Sequence, residues 1–273
     1  MTDLEERYDR IAAGYAEWWA PVLAARAIDV LDRVDGQVQD GARRLVDIGT
    51  GTGTLACAAV RRWPSVEVVG IDLSTAMVAA AEAEADRLLA PAERRRFEAR
   101  VAPADSLPVP NAAFDAAISS FVLQLVPNRF RAMREARRVL RPGGMLAFVT
   151  WLIDDRIFRP DIEFDALLDE IGVGARETDD RPGDIPSPAA AAAQLRRAGF
   201  RGVEVERAML EHRFSVDGYV GFLAEFDEED LISSLSATER QRLLGDLRER
   251  LAALPPDDLV LRLPIVYASG IRA

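Results

Sequence analysis

The sequence contains no lysine: all 34 of its basic residues are arginine. That absence excludes Schiff-base catalysis and the phosphate-binding lysine of a Walker loop. Cysteine occurs once, as Cys57, so no disulfide can close within the chain, and a small buried side chain is the expected role of that residue. Histidine also occurs once, as His212, and no metal site is expected. No segment approaches the roughly 18 uninterrupted apolar residues of a membrane-spanning helix, since the longest candidate, residues 76–85, is broken by Glu82 and Glu84. The N-terminus is acidic and polar where a secretory leader would be basic and then apolar, so a cytoplasmic location is expected.

What is present suits one enlarged globular domain: 273 residues, 49% hydrophobic and 29% charged. With 45 acidic residues against 34 basic ones the net charge is -11, a field that repels nucleic acid and anionic membranes. Neither nucleic acid nor a membrane surface is therefore an expected partner. The sequence does not specify an oligomeric state.

Helical spacing of apolar residues over residues 3–34 predicts two helices divided near Pro21, followed by a polar linker over residues 35–44. A short apolar strand (45–48), a glycine turn and a helix (55–62) come next. The alternation continues with strands at 66–71, 97–101, 114–119 and 145–151, and with helices at 75–89, capped by Ser74, and 128–140. After an acidic helix (161–171) and a loop of turn formers, Ser187 opens a helix to Ala198 and a strand follows at 203–207. Helices at 216–232 and 237–251, the latter opened by the capping box Ser236 to Glu239, precede a last apolar stretch at 260–271. The fold class is α/β: a Rossmann-like, doubly wound, mostly parallel seven-stranded sheet with an α-helical cap. A single domain over residues 1–273 is expected, with a helical lid at 1–34, an α/β core at 45–151, and cap insertions at 152–188 and 208–255.

In such a sheet the ligand crevice lies at the carboxyl ends of the strands, beside the first strand. Gly49, Gly51 and Gly53 stand there and let the backbone and the following helix start approach a ligand closely. Asp72 ends the next strand 19 residues after Gly53, where a carboxylate can accept hydrogen bonds from both ribose hydroxyls. A nicotinamide dinucleotide site would want a third glycine at position 54, which is threonine. Asp47, inside the first strand, suits a cationic ligand rather than a diphosphate.

The segment Leu45-Val46-Asp47-Ile48-Gly49-Thr50-Gly51-Thr52-Gly53 resembles motif I of the class I S-adenosylmethionine-dependent methyltransferases, and the chain looks like their small-molecule, ubiquinone/menaquinone-methyltransferase-like group. Gly70-Ile71-Asp72-Leu73-Ser74 with Met77 looks like the second motif; the resemblance implies Asp72 on the ribose diol and Leu73 and Met77 against the adenine. Leu107-Pro108, Phe114-Asp115 and Arg138-Val139-Leu140-Arg141-Pro142-Gly143-Gly144 agree with later landmarks. One departs: where relatives carry Gly-Asp-Ala, this chain has Ala102-Pro103-Ala104, so Pro103 stands in place of the usual adenine-binding acid. The resemblance leaves the Ala104 amide and Asp105 to serve the adenine, places Thr50 in the cofactor turn and Ser119 by the methionine part, and implies that Tyr8 and Tyr15 cover the cofactor.

Methyl transfer from a sulfonium chiefly demands alignment and exclusion of water. Aromatic residues of the lid and cap, above all Trp19, Phe121, Trp151 and Tyr219, are the expected substrate pocket, with Trp18, Phe158, Phe214, Phe222 and Phe226 near the same rim. His212, expected in the connection after strand six, is the candidate general base. The expected activity is O-methylation of a hydroxylated aromatic or polyketide-like acceptor. The rivals are an NAD(P)-dependent oxidoreductase, which Thr54 and Asp47 oppose, and a non-methylating relative that retains the cofactor, which Pro103 keeps open. Glu211 and the pair Asp179 and Asp180 read as solvated charge.

Overall fold

A computed structural model gives the fold and describes residues 3–155, 157–173 and 183–273. In chain order the elements are α1 (Asp3–Gly14), a π-helical turn (Tyr15–Trp19), α2 (Ala20–Ile28), a 3-10 turn (Asp29–Arg33), α3 (Asp35–Gln39), β1 (Arg44–Ile48), α4 (Thr54–Arg62), β2 (Glu67–Asp72), α5 (Thr75–Leu88), α6 (Pro91–Arg94) and β3 (Phe97–Val101). They continue with β4 (Phe114–Ser120), α7 (Arg129–Val139), β5 (Leu140–Trp151), α8 (Arg159–Glu170), α9 (Pro188–Arg197), β6 (Phe200–Arg213), α10 (Val216–Phe222), a second π-helical turn (Leu223–Asp227), α11 (Glu229–Ser234), α12 (Ala237–Ala252) and β7 (Val260–Arg272).

The seven strands form one sheet in the order β3-β2-β1-β4-β5-β7-β6. The first five are parallel; β7 runs antiparallel to both β5 and β6. Strand alternation splits the core into two layers. Leu45, Ile118 and Ala147 pack with the lid, α4, α5 and the cap on one face, whereas Val46, Ala117 and Phe148 pack with α7 and α9 on the other. Order reverses at β1 and β4, which puts the crevice above their carboxyl ends.

Several boundaries move for identifiable reasons. The polar stretch expected as a linker holds the short helix α3, anchored by buried Val38. Pro142, Gly143 and Gly144 lie within β5, because α7 stops at Val139 and Leu140 already pairs with Phe114 before a register shift. β6 runs for 14 residues, far beyond 203–207; as an edge strand it carries charged residues that interrupt its alternation. His212 is consequently inside β6, opposite Leu261. The expected helix 216–232 is divided by the second π-helical turn. Asp179 and Asp180 lie outside the described residues.

The lid is fixed by close approaches and caps. Asp9 on α1 accepts hydrogen bonds from the Ser74 hydroxyl (2.5 Å) and the Ala76 amide (3.0 Å), while the Ser74 oxygen accepts from the Met77 amide (3.0 Å). Two residues, one distant in sequence, thus cap α5 together, and the Ala76 and Ser74 donors hold the Asp9 carboxyl below its ordinary range. The two π-helical turns also meet. A Cβ on Gly14 would stand 1.8 Å from the Glu225 carbonyl oxygen, and one on Gly221 would stand 2.6 Å from the Trp18 ring. Trp18 Nε1 donates to Glu225 (2.9 Å), and Arg10 pairs with Glu229 (2.9 Å) and Asp230 (2.6 Å).

Replacing Asp9 with alanine removes the trans cap, and a loss of about 1 kcal/mol is expected, or a melting temperature lower by about 3 °C. Thermal denaturation with limited proteolysis of the lid checks it. An unchanged melting point and cleavage pattern would remove Asp9 from this role.

Candidate cofactor and acceptor site

The turn after β1 is held to the sheet by its own backbone: the Gly49 and Thr50 amides both donate to the Ile71 carbonyl on β2 (2.7 and 2.9 Å). Gly49, Gly51 and Gly53 have φ of 74°, 53° and 82°. At Gly49 sterics demand glycine, since a Cβ would stand 2.2 Å from a Val122 methyl. Gly53 opens α4 from a left-handed position, with Ala81 of α5 3.2 Å from where its Cβ would be. Above Gly51 the nearest atoms are those of the Tyr15 ring, at 3.9 Å, so the outer face of the turn looks toward the lid.

Two carboxylates flank the turn. Asp47 is 1% exposed and accepts from the Thr50 hydroxyl (2.8 Å) through Oδ2. Its Oδ1 is left without a hydrogen-bond partner of good geometry among the described residues, the Ala56 amide helping only weakly. Burial, with Asp72 as a like charge nearby, pushes the Asp47 carboxyl up to about 7. Asp72 accepts from the Gly51 amide (2.8 Å) and the Ser74 amide (3.0 Å), one on each oxygen. Burial raises its pKa too, against the opposing pull of those amides. Each oxygen retains a lone pair for a hydroxyl donor.

The flanking positions fill out the site. Met77 is buried at the start of α5 and Leu73 is half-buried beside it. Ala104 is half-buried in the loop after β3; Asp105 beside it has its carbonyl oxygen against Arg131 (3.1 Å) and its carboxylate 3.7 Å from the same guanidinium. The Ser119 hydroxyl, fully buried, donates to the Ile48 carbonyl (2.7 Å) and so braces β4 against β1.

Over the strand ends the aromatic rings form a continuous wall. Tyr8 meets Tyr15 edge-on (6.4 Å), Tyr15 meets Phe226 (5.5 Å), Phe226 meets Trp19 (6.0 Å), Trp19 meets Trp151 (6.3 Å), and Trp151 meets Phe121 (4.3 Å). Burial raises the Tyr15 pKa, with Tyr8, Asp72 and Asp47 adding to it, so the phenol stays neutral. Phe121 has φ of 55°, a conformation that costs a bulky residue about 1–3 kcal/mol. Phe222 backs the wall, 5.0 Å from Trp19. Tyr219 does not face Trp19 or Trp151; its hydroxyl donates to Asp161 and its ring packs on Phe158, Phe214 and Phe222.

The structure therefore brings together the turn, Asp47, Asp72, Tyr8, Tyr15, Trp19, Phe121 and Trp151. It separates His212 from them. That ring packs edge-on against Phe214 (4.5 Å), and Phe214 and then Phe222 intervene before Trp19. Burial lowers the His212 pKa. Asp9, Val122 and Gln124 have structural parts here that sequence spacing does not disclose, because each acts on a residue whose neighbourhood only the fold defines.

Residues 46–148 match the sequence profile of a methyltransferase domain. The chain is 36% identical over 163 residues to the malonyl-[acyl-carrier protein] O-methyltransferase of Geobacter sulfurreducens, covering 59% of this chain and 57% of that protein. It is 42% identical over 106 residues to the ubiquinone/menaquinone biosynthesis C-methyltransferase of Syntrophotalea carbinolica, covering 39% of this chain and 43% of that one. The chain spans about half the length of the curated relatives it matches. Its fold is shared with the [4+2]-cyclase SpnF (TM-score 0.59, 20% identity, 99% of this chain and 96% of that one). A phosphoethanolamine N-methyltransferase of Haemonchus contortus also shares it (TM-score 0.59, 17% identity, 100% of this chain and 61% of that one).

The buried Asp47 generates a pH signature. Folded, it holds its proton up to about pH 7; unfolded, it releases it near its ordinary value of 3.8. The folded state thus carries the extra proton in that window, and this group's contribution to stability falls as pH rises from about 4 to about 7, then stays level. Asp47→Asn is expected to flatten that slope and to melt a few degrees above the parent at pH 8, as read by scanning calorimetry across pH. An unaltered slope would contradict the assignment.

Proposed function

We propose, from the premise that this chain carries a class I S-adenosylmethionine-dependent methyltransferase domain, that it methylates a flat, largely apolar small molecule, with a hydroxyl oxygen as the receiving atom. The observation that carries this reading is the aromatic wall running without a break from Tyr15, over the glycine turn, to Phe121 at the end of β4. Such a surface takes a planar acceptor and offers little to an anionic one.

The residues present fit the cofactor. Asp72 has acceptor capacity for a ribose diol, Leu73 and Met77 offer an apolar flank for an adenine, and Asp47, whose carboxyl is pushed up to about 7, is poised to ionise beside a bound cation. When bound, S-adenosylmethionine supplies an electrophilic methyl group on a sulfonium. The chain's own residues then orient and enclose. Tyr15 and Tyr8 cover the turn from the lid, Ser119 keeps β4 and β1 in register, and Trp19, Trp151 and Phe121 hold the acceptor plane in a water-poor space. Positioning of this kind is worth roughly 7–11 kcal/mol of barrier.

Acid–base help from the chain is secondary in this geometry, because Phe214 and Phe222 stand between His212 and the wall. A hydroxyl conjugated with a carbonyl, as in a polyketide-like enol or an acidic phenol, ionises by itself near neutral pH and needs no base. The curated relatives include both oxygen and carbon methylation, and since an enolate or phenolate can react at either atom, the position of the transferred label decides between them.

Purified chain incubated with methyl-labelled S-adenosylmethionine and a panel of hydroxylated aromatics and enolic diketones is expected to transfer label to oxygen. Label reaching none of them, or reaching only charged aliphatic amines, would overturn the reading. In the same assay His212→Asn is expected to lower turnover by far less than the roughly 100-fold a general base contributes. A loss of that size would return His212 to catalysis.

A further inference from the structure

Among the described residues, two non-glycine residues adopt positive φ: Ala112, in a turn, and Phe121, which is 6% exposed at the end of β4. A phenylalanine remains left-handed only where its surroundings insist on it. Here they do so at both ends of the residue. The Phe121 amide donates to the Val149 carbonyl on β5 (2.9 Å), and its own carbonyl accepts from Nε2 of Gln124 (2.6 Å). Oε1 of Gln124 in turn accepts from the hydroxyl of Thr150 (2.6 Å), a fully buried residue of β5.

Gln124 is half-buried, and its backbone meets the insertion after β5. The backbone of Gly183, where the insertion after β5 returns, lies so close that a Cβ there would stand 1.6 Å from the Gln124 carbonyl oxygen. Ile185 then donates to the carbonyl of Trp151 at the end of β5 and accepts from the amide of Ile153, just beyond it. Gln124 thus links the β4 end to the β5 end through its side chain and meets the insertion through its backbone.

We propose that Gln124 is a positioning residue for acceptor recognition: by joining the Phe121 carbonyl to Thr150 it maintains the left-handed turn that lays the Phe121 ring on Trp151. The same turn presses Val122 against Gly49, so the acceptor wall and the glycine turn share one support. The inference rests on the reading that this wall receives a flat acceptor. It assigns specificity to a residue that lies behind the rings and holds them, so that changes at Gln124 act on acceptor affinity through Phe121.

The test uses 1-naphthol as probe, followed by quenching of tryptophan fluorescence in the full chain saturated with S-adenosylhomocysteine. Gln124→Glu keeps the volume and the bond from Thr150 but loses the donor to Phe121; naphthol affinity is expected to fall about tenfold. Affinity for S-adenosylhomocysteine should fall by a smaller factor than naphthol affinity, and the far-ultraviolet circular dichroism should remain that of the folded parent. Phe121→Asn removes the ring and replaces it with a residue that tolerates positive φ, so adding Gln124→Glu to it should cost no further naphthol affinity. Thr150→Val, which frees the far end of Gln124, should act in the same direction as Gln124→Glu and serves if that variant does not fold. Equal naphthol binding by the parent and the Gln124 and Thr150 variants would overturn the proposal while leaving the acceptor reading intact. A Gln124 effect that persists undiminished in the Phe121→Asn background would also overturn it. If the parent itself fails to bind naphthol, the acceptor reading falls and the inference falls with it.

Discussion

A single carboxylate ties the site together. Asp72 accepts the Gly51 amide on one oxygen and the Ser74 amide on the other, so the glycine turn after β1 and the first turn of α5 are fixed relative to each other by one side chain. Ser74 then passes the constraint outward, since its hydroxyl bonds to Asp9 on the lid. Burial makes this arrangement costly for a charge, which is why Asp72 is raised in pKa despite two amide donors. A ligand that donated hydroxyl hydrogens to those oxygens would relieve part of that cost.

The rest of the molecule arranges itself around this support. Reversal of strand order at β1 and β4 opens the crevice, and Gly49 lets Val122 come within contact of the turn. The lid reaches over through Tyr15, and the cap reaches back through Phe226 and Phe222. Gly14 lets the Glu225 backbone approach closely, and Gly221 leaves room for the Trp18 ring, so the two π-helical turns close on each other. Polar groups gather at the glycine turn and rings above it; on the proposed reading these are the cofactor and acceptor sides, a division that suits a reaction governed by alignment and by the exclusion of water.

Much of this was legible in the sequence because it depends on local rules. The alternation of apolar runs with helical periods gave the sheet and its helices, the spacing of three glycines with Asp72 marked the crevice, and Ser74, Ser187 and Ser236 are N-caps as their positions imply. What was not legible depends on distant partners. Nothing near Asp9 in the chain announces that it completes a cap on α5, and a phenylalanine at position 121 carries no sign of a left-handed backbone. His212 was misplaced for a related reason: β6 is a charged edge strand, and its extent is set by pairing with β7, not by its own alternation.

Equilibrium dialysis of S-adenosylmethionine against the parent and Asp72→Ala tests the central claim most directly. Two hydrogen bonds from a diol to a carboxylate correspond to a loss of about 100-fold in affinity when the carboxylate is removed. The account predicts saturable uptake by the parent and a loss of that order in the variant. Equal uptake by both, or none by the parent, would contradict it.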